Sequence, residues 1–180
     1  MTYTLEKAGK LALICAISAL LLGIINSVTE PVIAHRKAME LKAALESLID
    51  DGTPGAVELV EGNGIVQSRY PVVGPGGWIL DLKGKGYGGD LKVLASYRPD
   101  GSIIDVVLMD NSETPGLGKK AEKSSYMDKF RGTGGAQPVP VTKDAVQESP
   151  DTITGSTITF SGVATALSAG SEYVKELGDK

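Results

Sequence analysis

Between Lys10 and Glu30 the chain carries no charged side chain, and Leu11–Ile25 (LALICAISALLLGII) is apolar apart from Ser18 and Gly23. The nineteen positions Leu11–Thr29, wound as a helix, would reach about 28 Å, the thickness of a bilayer's hydrocarbon core. Residues 11–29 therefore read as a transmembrane anchor. Residues 1–10 form a short tail whose Lys7 and Lys10 would sit among headgroups. A cleaved signal peptide is the competing reading, with Val32-Ile33-Ala34 as a cut site. The distance from Ile25 to Ala34 and the length of the uncharged run favour the uncleaved anchor. Lys7 and Lys10 on one side balance Arg36, Lys37 and Lys42 on the other, so counting cations leaves the orientation open. Cys15 falls at mid-membrane depth, where packing against lipid or another helix is expected rather than acylation.

Composition narrows the chemistry of the remainder. Eighteen basic residues stand against twenty-two acidic ones in 180, with no cationic run. A nucleic-acid surface or a polybasic membrane patch is not expected. The only histidine is His35 and the only cysteine is Cys15. Everything from Arg36 onward lacks imidazole and thiol, which excludes a Cys/His zinc site, a Ser-His-Asp triad, histidine-held haem, cysteine-held iron–sulfur clusters and disulfides. Redox work would require an organic cofactor.

Thr29-Glu30-Pro31 carries a capping hydroxyl, an acid and a proline in the order of a helix start. Residues 30–50 are expected to form a stalk helix, ended by Asp50-Asp51-Gly52-Thr53-Pro54-Gly55. Residues 51–180 would then be the domain. Four β-branched runs follow, Val57–Val60, Ile65–Val73, Trp78–Lys83 and Leu91–Tyr97. The turn Arg98-Pro99-Asp100-Gly101-Ser102 joins the last of them to Ile103–Met109 as a hairpin. Lys119–Phe130 reads as a helix, Arg131–Pro140 as a loop and Ile158–Leu177 as a final helix. The fold class expected is α+β: one transmembrane helix and a stalk helix followed by a small, mostly antiparallel sheet domain.

Three segments could carry chemistry. Gly84-Lys85-Gly86-Tyr87-Gly88-Gly89 has the glycine spacing of a dinucleotide loop, but a strand rather than a helix follows it. Without the helix N-terminus to hold a pyrophosphate, it reads as a tight β–β connection. Asn111–Lys120 (NSETPGLGKK) leaves a strand and enters a helix, and its proline and glycines allow an unusual path with exposed amides. By spacing alone it could equally be an ordinary connection. Asp151–Thr159 (DTITGSTIT) places five hydroxyls before the last helix. One of them would cap that helix, and Thr157 in or beside its first turn would face an anion-attracting end.

Together these segments carry a resemblance. Glu113-Thr114-Pro115-Gly116-Leu117-Gly118, followed about forty residues later by Asp151-x-x-Thr154-Gly155-Ser156-Thr157-x-Thr159, resembles the FMN-binding domain family shared by RnfG, of the Rnf electron-transport complex, and by NqrC. The likeness extends to the anchor, the Gly84–Gly89 loop and the hairpin, and the short length favours the Rnf side. In that family a threonine carries FMN through a phosphoester bond installed by a separate flavin transferase. The resemblance implies Thr157 as the attachment residue, and Asp151, Thr154, Gly155 and Thr157 as the transferase's recognition sequence. Ser156 stands where alanine is usual, and Phe160 where serine is frequent.

The cofactor implied is covalent FMN. Glu113, Thr114, Gly116, Leu117, Gly118, Lys119, Thr154, Gly155, Ser156 and Thr159 are implied as cofactor-binding residues, with Leu117 an apolar contact and Lys119 or Lys120 near the phosphate or ring. No metal-binding or independently catalytic residue is expected. By resemblance the chain is an electron-transfer subunit on the outer side of the cytoplasmic membrane. Its partners would be other subunits of a complex coupling ferredoxin:NAD electron flow to sodium or proton translocation, with no diffusible substrate. Two other classes compete: an extracytoplasmic domain binding flavin non-covalently as sensor or carrier, and a structural pilin-like subunit suggested faintly by Thr4-Leu5-Glu6.

Overall fold

The computed structural model describes residues 2–49, 51–74, 76–116, 118–142 and 157–178. It contains two compact units, Met1–Lys42 and Ala43–Lys180. The first belongs to helix α1 (Thr2–Ser47), whose Glu6–Ser47 portion holds a window apolar and long enough to cross a membrane. Its Leu11, Leu13, Ile14, Leu20 and Leu22 are each more than 60% exposed, as lipid-facing side chains would be.

Here the structure corrects one expectation. Thr29-Glu30-Pro31 starts no new helix, because α1 runs through Pro31 without a break. Anchor and stalk are one helix of 46 residues. The proline removes a single backbone donor from that long ladder, and Thr29 Oγ1 donates back to the Ile25 carbonyl at 2.9 Å instead of capping. The same back-bonding occurs from Ser27 Oγ to the Gly23 carbonyl at 2.9 Å.

In the second unit, β1 (Thr53–Pro54), β2 (Glu58–Leu59), β3 (Val66–Val73), β4 (Trp78–Lys85), β5 (Asp90–Tyr97) and β6 (Ile103–Asp110) form one antiparallel sheet. The order is β1-β3-β4-β5-β6, with β2 also on β3. β1 and β2 pair successive stretches of β3, Thr53↔Val73 and Glu58↔Arg69. The two-residue β1 lies inside a segment whose Gly/Pro content reads as a stop signal. The predicted hairpin closes between β5 and β6 with Gly101 at φ 81° and Arg98 N–H donating to the Ser102 carbonyl at 2.8 Å.

Helix α3 (Thr157–Gly178) lies across β4 and β5. Alternation along the strands turns Leu80, Leu82, Leu91, Val93, Ala95 and Tyr97 toward Phe160, Val163, Ala164 and Leu167 of α3 in one buried core. Tyr97 Oη donates to the Leu167 carbonyl at 3.0 Å, and Ser171 Oγ to the Gly101 carbonyl at 2.8 Å. These two bonds fix the helix along its axis. Burial holds the Tyr97 phenol far above its ordinary range, so it stays protonated and able to donate. On the other sheet face Ile79 and Leu94 are fully buried, and Ala44, Leu45 and Leu48 from the end of α1 are buried too. A 250 Å³ cavity walled by Leu48, Val72, Ser96 and Ile104 marks that second layer.

Lys119–Phe130 is not one helix. It divides into a 3-10 turn (Gly118–Glu122), a single turn α2 (Ser124–Met127) and a second 3-10 turn (Asp128–Phe130). Ala121 and Tyr126 are both buried, and in a continuous helix five positions would set them about 140° apart. Lys123 instead adopts an extended backbone, φ −78° and ψ 133°, which turns both inward.

Candidate functional site

The first turns of α3 present a stripe at helical spacing, Thr157, Ser161 and Thr165, beside a second of Ile158, Gly162 and Ala166. Both stripes wall a cavity of about 510 Å³, closed on the other side by Gly64, Ile65, Lys83, Gly84 and Lys85. That volume falls within the range of cofactor sites. The cavity exists because helix and strand approach so closely at its floor: a Cβ on Gly84 would come within 2.8 Å of the Gly162 carbonyl oxygen. A Cβ on Gly162 would overlap the Lys85 carbonyl. The walls are mostly apolar, from Ile65, Ile158 and Ala166, with the hydroxyl-bearing Thr157 and Ser161 and the exposed Lys83 and Lys85 also among the lining residues.

Behind the cavity is a buried carboxylate. Glu113, 4% exposed, accepts the Thr159 hydroxyl at Oε2, 2.7 Å away, and the Gly88 amide at Oε1, 3.1 Å away. Gly86 and Gly118 close on the same side chain, and a Cβ at either would overlap a Glu113 oxygen. The Gly84–Gly89 connection therefore lies between β4 and β5 as expected. Its glycines answer to close packing rather than to phosphate: Gly86 clears the Glu113 carboxylate, Gly88 the Ser112 carbonyl and Gly84 the Gly162 carbonyl. The Asn111 side chain orients the segment that leaves β6 by accepting the Glu113 amide at 3.2 Å.

The expected site residues thus fall into separate groups. Thr157 is exposed and lines the cavity. Thr159 and Glu113 are bonded to each other beneath it, and Gly118 packs on Glu113. Thr114 and Gly116 are exposed, Gly116 at φ 79°, and neither lines the cavity. Lys119 pairs with Glu122 at 3.3 Å on the surface. Leu117, Asp151, Thr154, Gly155 and Ser156 lie outside the described residues. Phe160 is fully buried, stacked on Phe130 with centroids 5.2 Å apart, so its departure from serine serves the core. Sequence reasoning missed Ile65, Lys83, Lys85, Ile158, Ser161 and Thr165. The four-residue repeat Thr157/Ser161/Thr165 was the signal available for three of the wall positions.

A second hollow of about 520 Å³ is lined by Asp81, Asp90, Lys92 and Asp110. Lys92 Nζ lies 3.1 Å from Asp81 and Lys83 Nζ 2.6 Å from Asp90. Burial pushes the Asp81 carboxyl up, with Lys92 pulling partly the other way. No group of three metal-ligating side chains occurs among the described residues.

Residues 86–171, from the Glu113-contacting loop to the Gly101-contacting Ser171, match the FMN-binding domain family. An RnfG protein of an ion-translocating oxidoreductase complex from Cereibacter sphaeroides is 31% identical over 175 residues, covering 89% of this chain and 79% of that relative. This chain belongs to the RnfG family. The corresponding protein of a proton-translocating ferredoxin:NAD(+) oxidoreductase complex from Clostridium ljungdahlii is 28% identical over 91% of this chain and 88% of its own length. Its counterpart in the Na(+)-translocating complex of Acetobacterium woodii is 33% identical over 95 residues, about half of this chain and 45% of the relative.

The residues of this RnfG-family chain fit the flavin mononucleotide that the family name implies. The apolar walls suit a flat ring system, and the first-turn amides of α3 suit a phosphate group. Thr157, at the start of α3 and among the lining residues, supplies a hydroxyl to the cavity.

Proposed function

We propose that this chain is the flavin-carrying electron-transfer subunit of an ion-translocating ferredoxin:NAD oxidoreductase complex, with FMN joined to Thr157 Oγ1 through a phosphoester. One observation carries the reading: an exposed threonine opens the last helix and lines an apolar cavity, inside a segment matching an FMN-binding domain. Bound FMN would supply electron exchange in one- or two-electron steps. The protein's part is attachment and shelter. A phosphodiester keeps one negative charge, and the α3 N-terminus favours it by about 0.3–1 kcal/mol. Ile65 and Ile158 would offer the ring an apolar wall, and a tether would prevent loss of the group.

α1 holds the domain at the membrane, on the outer side of it. The apolar 11–29 run supports the anchoring. The absence of cysteine after Cys15 is compatible with an oxidising exterior. Maturation falls to a flavin transferase that reads the Asp151–Thr157 segment, and the working partners are the neighbouring subunits of the complex.

The test is a denaturing gel of full-length protein made in a host with the transferase, viewed under ultraviolet light. A fluorescent band in the wild type that goes dark in Thr157→Ala supports the tether. Flavin that separates in denaturant points to a non-covalent carrier or sensor, and a wild-type band without flavin removes the redox reading altogether.

A further inference from the structure

Thr157 and Thr159 are two positions apart on α3, so their side chains point about 200° from one another around the helix. Whatever turns Thr159 inward turns Thr157 outward. Thr159 is 1% exposed, and its hydroxyl is held by Glu113 Oε2 at 2.7 Å. Glu113 in turn is fixed by the Gly88 amide and enclosed by Gly86 and Gly118. Three segments far apart in sequence therefore meet on one carboxylate, and the helix that begins at Thr157 is the third.

Resting on the flavin reading above, we infer that Glu113 and Thr159 are positioning residues for flavin attachment: their hydrogen bond sets the rotation of α3 so that Thr157 Oγ1 faces outward over the cavity. In the attachment step Thr157 Oγ1 gives up its proton, which passes to solvent, and forms the new P–O bond. A P–O bond of a phosphoanhydride flavin donor breaks, and the donor's other phosphate leaves with the electron pair. A helix start free to rotate or unwind would present the hydroxyl for only part of the time, and attachment would slow in proportion. Neither Glu113 nor Thr159 lines the cavity, so the pair acts through Thr157.

The experiment follows in-gel flavin fluorescence per polypeptide over time in full-length protein co-expressed with a limiting flavin transferase. Thr159→Val keeps the shape and removes the hydroxyl. Losing a hydrogen bond to a charged group is expected to slow labelling about ten-fold, while Thr159→Ser restores it. Glu113→Asp, one methylene short of its partners, is expected to be slow as well, and decides the matter if Thr159→Val does not fold by circular dichroism. Wild-type labelling rates in folded Thr159→Val or in Glu113→Asp would overturn the inference, as would Thr159→Ser being as slow as Thr159→Val. An unlabelled wild type would instead sink the flavin reading on which it rests.

Discussion

Asp81 shows how burial and pairing compete at a single residue. Its side chain lies on the sheet face turned away from α3, 3.1 Å from Lys92, yet burial outweighs the lysine and the carboxyl is raised. An acid whose folded value is raised holds its proton more tightly when folded than unfolded. Its contribution is therefore full below the unfolded value of about 3.9 and is lost as pH rises through the folded one. Asp81→Asn removes that dependence. In urea titrations the stability of the variant relative to wild type should climb from about pH 4 upward and level off above the folded value. A difference that stays constant with pH would show that Asp81 does not titrate in this way.

Among the elements, the crossing of α3 over β4 matters most, because it forms both the core and the cavity floor. Ordinary helix propensity says that Gly162→Ala should stabilise α3 by about 1 kcal/mol. The close approach to the Lys85 carbonyl reverses the sign, since forcing a methyl into a packed contact costs about 1–3 kcal/mol. Thermal denaturation of Gly162→Ala should show a lowered midpoint, and a raised one would mean that helix and strand are less tightly apposed than described. Gly84 meets the Gly162 carbonyl from the strand side, so the pair of glycines forms a seam. Lys119–Phe130 teaches the complementary lesson, since three short turns replace one helix where the buried residues do not share a helical face.

At the scale of the whole molecule, α1 belongs to both units, and its last turn covers the sheet face that α3 does not. Ala44, Leu45 and Leu48 are buried there, whereas the apolar side chains of residues 11–33 are exposed. A chain beginning at Ala43 should purify without detergent and keep the cooperative thermal transition of the domain. A chain beginning at Asp51 loses Leu45 and Leu48 and uncovers Ile79 and Leu94, which should cost at least about 2 kcal/mol by analogy with large-to-small core changes. Equal midpoints for the two truncations would show that the end of α1 contributes nothing to the fold.

Residue patterns by themselves determined the apolar 11–29 run, five of the six strands, the hairpin turn and the position of the last helix to within a residue. Each depends on local periodicity or turn chemistry, which neighbouring residues encode directly. The paired Glu113 and Thr157 segments likewise led to the FMN-binding family from sequence. What only the tertiary structure decided is the role of each residue within them. Glu113 and Thr159, 46 positions apart, became partners, and Gly86 of the 84–89 loop became clearance for their carboxylate. The cavity wall facing α3 came from Ile65, Lys83 and Lys85, which belong to neither motif. Local sequence specifies which way a chain turns, but the surfaces that meet once it has turned are set by long-range packing.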